Sequence, residues 1–104
     1  MSIDDKDGQA SRSINLGRLA LGRQRWAEAR QWCEKALQLA REIGRQNLIA
    51  SAQHGLARVY EAEGQPNLAL PLAQEALAIR ERLRSSDEGT RQLMERLRQA
   101  VDGR

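Results

Sequence analysis

Residues 16–39 (LGRLALGRQRWAEARQWCEKALQL) return without a gap as residues 56–79 (LARVYEAEGQPNLALPLAQEALAI), one step of 40 further on. Leu16, Arg18, Ala29, Ala36 and Leu37 recur unchanged as Leu56, Arg58, Ala69, Ala76 and Leu77. Gly17 becomes Ala57, Leu19 becomes Val59, Cys33 becomes Ala73 and Leu39 becomes Ile79. Small positions stay small and apolar positions stay apolar. A fixed period of tens of residues means that one supersecondary unit is stacked on its copy, each burying a face that it cannot bury alone.

Composition names the unit. Gln, Glu, Arg, Leu and Ala dominate, all good helix formers, whereas Phe is absent and Val, Ile, Thr and Tyr are scarce. Strands are poorly supplied, so the expectation is all-α. At 104 residues, 40% hydrophobic and 30% charged, the chain reads as one folded domain near the lower size limit for a single core. No apolar run approaches the roughly 18 residues of a membrane span. The polar, acidic start MSIDDKDGQASR lacks the basic and apolar regions of a secretion signal. Cys33 is the only cysteine, which fits a small buried side chain and a cytoplasmic setting.

Apolar residues at three- and four-residue steps predict five helices. The first runs from about Ser13 to Arg23 with Leu16, Leu19, Ala20 and Leu21 inward, after a loose leader over residues 1–12. The second runs from about Trp26 to Ile43, with Gly44 as its C-terminal cap. The third spans about Leu48 to Glu63 and stops at Gly64; the fourth spans about Asn67 to Arg84, burying Leu72, Leu77 and Leu83. Pro71 cannot donate a backbone hydrogen bond, so that helix is expected to start late or bend slightly. Ser85-Ser86-Asp87 offers N-caps for a fifth helix, about Glu88 to Val101, whose apolar stripe is Leu93, Met94, Leu97, Ala100 and Val101.

The placing of small and large residues resembles the tetratricopeptide repeat. The first unit has Leu16-Gly17, Trp26, Ala29 and Ala36-Leu37, with Gln24 where the turn glycine is usual. The second has Leu56-Ala57, Tyr60, Gly64, Ala69 and Ala76-Leu77, with Pro66 in the aromatic slot. The period of 40 exceeds the usual 34 or so, and LALPLAQEALAIRERL (residues 68–83) resembles the extended repeats of kinesin light chains and bacterial multidomain signalling ATPases. The resemblance implies a right-handed α-solenoid: repeat 1 over 13–44, repeat 2 over 47–84 and a capping helix over 87–101.

The resemblance also implies that the first helix of each hairpin lines a concave groove. With the helical phase, it directs Ser11, Ile14, Asn15, Arg18, Leu21 and Gly22 of one unit there. In the next unit it directs Ser51, His54, Gly55, Arg58, Glu61 and Ala62. The candidate peptide-binding set is Asn15, Arg18, Leu21, His54, Arg58 and Glu61. Arg18 and Arg58 could form a ladder of guanidiniums for an acidic peptide, unless each pairs with a nearby Glu. The Lys/Asn/Arg carboxylate clamp of some relatives is missing, since Ile14, Arg18 and Gly55 stand at its positions.

The implied function is a protein-binding scaffold without catalysis, cofactor or metal. His54, the single histidine, has no ligand or nucleophile at useful spacing. Trp26 and Trp32 read as packing residues. The alternative is an Arg-rich nucleic-acid binder, motivated by the net charge of +3. That reading lacks a basic run or a stacking platform and predicts affinity falling steeply with salt. Stacks usually need three or more units, so self-association or neighbouring repeats are a further expectation.

Overall fold

The computed structural model describes the backbone of residues 3–85 and 87–103 and the side chains from residue 5 onward; Met1, Ser2, Ser86 and Arg104 lie outside it. Five helices follow one another: α1 (Ile3–Gly22), α2 (Trp26–Ile43), α3 (Gln46–Ala62), α4 (Pro66–Arg82) and α5 (Glu88–Asp102). No strand occurs among the described residues.

A second, finer period emerges in the backbone. Helices α1 to α4 close alike: the N–H groups of Arg25, Arg45, Gln65 and Ser85 donate to the carbonyls of Ala20, Ala40, Tyr60 and Arg80 at 2.8–3.1 Å. The residues just before these donors, Gln24, Gly44, Gly64 and Arg84, have φ of 60°, 69°, 75° and 58°. This is the paired closure with a left-handed residue that satisfies carbonyls at a helix end. It recurs every 20 residues, so each helix with its turn is half of the 40-residue repeat.

Sequential neighbours pack: α1 on α2, α2 on α3, α3 on α4 and α4 on α5, while α1 also meets α3 and α3 meets α5. The result is a slab of 46 × 32 × 18 Å with α1, α3 and α5 along one side. Ala29, Ala36, Ala40, Ala57, Ala69, Ala73 and Ala76 are all fully buried, which lets the helix axes approach at the short end of about 8–10 Å. Larger side chains fill between units: Ile49, Ala52 and Leu56 of α3 join Cys33, Ala36, Leu37 and Ala40 of α2 in one cluster. Leu93, Met94 and Leu97 of α5 cover Ala57, Ala69 and Ala73 in another.

Several expectations are corrected. Residues 3–12, expected as a loose leader, form the first half of α1. Lys6 pairs with Glu42 and Asp7 with Arg45, each at 3.1 Å, and Ala10 is fully buried. Ion pairs to α2 and to the turn after it, with one buried alanine, hold this polar stretch in place, so it has no apolar stripe to betray it. Helix α4 starts at Pro66, not later. Pro66 occupies the first helical position, where its fixed φ suits the helix and its missing N–H is not needed. The helix then runs on through the exposed Pro71.

Leu19 and Leu83, expected inward, are 57% and 45% exposed. Val59, the counterpart of Leu19, is sealed against Ala20, Leu21 and Ala29 of the preceding hairpin; Leu19 has no such hairpin before it among the described residues. Ala100 is exposed and Val101 half-buried, so the α5 stripe is Leu93, Met94 and Leu97.

Candidate binding groove

Between α1 and α3 lies a cavity of about 250 Å³ lined by Ile14, Arg18, Leu21, Cys33, Ser51, Ala52, His54, Gly55 and Arg58. Its floor depends on two glycines. A Cβ on Gly17 of α1 or on Gly55 of α3 would stand 2.9 Å from Cys33 Sγ, closer than packed atoms tolerate. Without those side chains, the thiol of α2 rises between the two helices. Burial first, then the Glu34 carboxylate, pushes the Cys33 pKa up to about 11, against Arg18 and Arg58, which pull it down. The thiol is therefore protonated at neutral pH, a packing group and not a nucleophile.

A second recess of about 180 Å³ is lined by Arg18, Ser51, His54, Arg80, Asp87 and Gly89. A chain of hydrogen bonds ties its wall to α5. His54 Nδ1 lies 2.8 Å from Thr90 Oγ1, and Thr90 Oγ1 donates to Asp87 Oδ2 at 2.6 Å. The Thr90 N–H donates to Asp87 Oδ1 at 3.1 Å, making Asp87 the N-cap of α5 as the sequence suggested. Arg80 lies 3.4 Å from Asp87 Oδ2 and donates to Ser51 Oγ at 2.6 Å. Desolvation alone would raise the Asp87 carboxyl, but the two bonds from Thr90, with His54 and Arg80 nearby, hold it below the usual carboxylate value.

Some arginines are paired, and others, such as Arg91 and Arg98 beside Leu77 and Met94, have no ion pair among the described residues. Arg30 pairs with Glu63, Arg45 with Asp7, Arg80 with Asp87 and Arg96 with Glu61. Arg18 and Arg58, one repeat apart on the rim of the larger cavity, have no hydrogen bond or ion pair among the described residues. The alternative that each meets a nearby Glu is not what the structure shows.

Of the six candidate groove residues, Arg18, Leu21, His54 and Arg58 line one cavity. Leu21 is buried and contributes apolar wall. Asn15 is exposed and lies outside the cavity lining. Glu61 is turned toward α5, accepting two hydrogen bonds from Arg96 at 3.0 and 3.1 Å. Sequence reasoning missed Cys33 as the floor and Thr90 as the partner of His54. The first was legible as a glycine opposite a larger residue; the second depends on where α5 docks, which no repeat copy reveals.

Two antiparallel hairpins with alanine seams, in register at 40 residues, are now in view, and the profile described as tetratricopeptide repeat matches residues 9–82. The chain belongs to the tetratricopeptide repeat family. The match begins inside the stretch that α1 recovers from the expected leader, and it ends where α4 ends. Neither a curated protein nor a solved structure matches the chain. Tetratricopeptide repeats mediate protein–protein interaction and are typically non-catalytic. Among the described residues of this tetratricopeptide protein, no cluster of three His, Cys, Asp or Glu could hold a metal ion. No described helix is long and apolar enough to cross a membrane.

Proposed function

We propose that the protein is a non-catalytic interaction module that receives an acidic peptide segment in the groove between α1 and α3. The observation that carries this reading is the pair of unpartnered guanidiniums, Arg18 and Arg58, on the rim of one cavity whose wall mixes Ile14, Leu21 and Ala52 with Ser51 and His54 and whose thiol floor is inert. Arg30, Arg80 and Arg96 meet carboxylates across helix contacts; Arg18 and Arg58 share one cavity and leave their planar forks free for carboxylates from outside. The 40-residue period supports the extended type of repeat, with units over 13–44 and 47–84 and a cap over 87–101. The single buried thiol supports a cytoplasmic location.

A fluorescein-labelled hexa-aspartate peptide is the probe. Its affinity, read by anisotropy, is expected to fall about tenfold or more in Arg18→Ala, Arg58→Ala, the loss of two charge-assisted contacts. Arg91→Ala, on the exposed side of α5, leaves it within about twofold, as a remote exposed charge should. Equal affinity in the double variant and the parent would end this reading.

A further inference from the structure

The hydrogen bonds behind the groove assign the protons of His54. Thr90 Oγ1 carries one hydrogen and stands between Asp87 Oδ2 at 2.6 Å and His54 Nδ1 at 2.8 Å. An ionised carboxylate only accepts, so the Thr90 hydrogen goes to Asp87. The hydroxyl lone pair must then receive a hydrogen from Nδ1. Nδ1 is therefore protonated whether the ring is neutral or charged, and the titrating atom is Nε2. Among the described residues Nε2 has no hydrogen-bond partner, and it is not among the side-chain atoms sealed from solvent. The ring lines both recesses, each of which it shares with Arg18.

Four charged groups face the imidazole: Asp87 ahead of α5, Arg58 on its own helix, Arg18 on α1 and Arg80 on α4. Burial first, then the three arginines, lowers its pKa below 6.5, while Asp87 opposes them. In the empty groove at about pH 7.5 the ring is neutral, with a lone pair on Nε2, and it shares the cavity with the guanidiniums of Arg18 and Arg58.

We propose that His54 is a proton-gated third cation of this anion site: when a carboxylate of an acidic chain settles on Arg18 and Arg58, Nε2 takes a proton from solvent and donates a hydrogen bond to it. The inference rests on the reading that the groove receives an acidic chain. The carboxylate offsets the repulsion from the arginines and satisfies the new N–H, so ligand and proton each favour the other's binding. The sign follows: affinity rises as pH falls through the ring's pKa, and ligand moves that pKa upward.

His54 is the only histidine, so its ring resonances are unambiguous. The 104-residue, nitrogen-15-labelled chain is titrated by NMR from about pH 8 to pH 5, with and without saturating hexa-aspartate, whose carboxylates stay largely ionised over that range. The neutral ring is expected as the Nδ1–H tautomer. Hexa-aspartate is expected to raise the ring's apparent pKa, each unit of rise corresponding to about tenfold tighter binding to the protonated form. His54→Gln is expected to flatten the dependence of affinity on pH. An Nε2–H tautomer, or superimposable titrations with the peptide bound, would overturn the role of His54 and leave the arginine reading standing. Failure of the peptide to bind at both ends of the range would overturn both.

Discussion

Gln24 and Arg84 hold a left-handed backbone, φ 60° and 58°, at the same step of the repeat at which Gly64 and Gly44 hold 75° and 69°. A side chain in that region crowds its own carbonyl, and glycine does not. Gln24→Gly and Arg84→Gly are each expected to stabilise the fold by about 0.5–1 kcal/mol, the relief being partly offset by glycine's freedom in the unfolded chain. Urea denaturation reads the change, and a lowered midpoint in either variant would contradict it. Gln24 was legible in the sequence as a departure from the usual turn glycine. Arg84 was not, because RERLR continues a helical pattern that only the backbone shows to be closed. Gln53 was equally hidden: its side-chain amide is fully buried without a hydrogen-bond partner, which costs about 1–3 kcal/mol, and no spacing rule marks it.

Between helices, the two hairpins solve one packing problem with different atoms. The first uses Gly17 facing Cys33; the second uses Ala57 and Ala73, both buried in one cluster. Gly17→Ala drives a Cβ to 2.9 Å from Cys33 Sγ and is expected to cost about 1–3 kcal/mol by overpacking, despite alanine's better helix propensity. Cys33→Ala removes that sulfur, so adding it is expected to recover most of the loss. A double-mutant cycle then shows a coupling of about 1 kcal/mol or more; independent, additive effects would refute the shared contact. The existence of all five helices was legible because apolar spacing and turn residues agreed. The true start of α1 was not: Ala10 stands in register with the buried Ala50, but its neighbours are held by ion pairs and carry no apolar signal. The start of α4 differs by one residue for another reason: Pro66 takes the first helical position, which its fixed φ suits, ahead of Asn67.

The whole slab is a line of nearest neighbours. Helix α5 touches α4 and α3, while α1 and α2 meet the rest mainly through α3. Damage should therefore stay local. Leu97→Ala, at a fully buried site on α5, is expected to cost about 2–4 kcal/mol, with amide exchange accelerating in α5 and α4 and little changed in α1. A uniform acceleration along the chain would show a single cooperative body instead. At this scale the groove was half legible: the 40-residue step brought Arg18 and Arg58 to one rim. The engagement of Glu61 by Arg96 and of His54 by Thr90 depends on how α5 lies across α3, and a repeat with no third copy gives no template for that. The closure of α1 to α4 at a constant measure of 20 residues carries one more consequence. A single inserted residue inside a helix would swing everything downstream by about 100°, carrying the alanines off their seams. Substitutions that keep small positions small leave the seams in place, whereas a change of helix length is tolerated best in steps that restore the phase of the repeat.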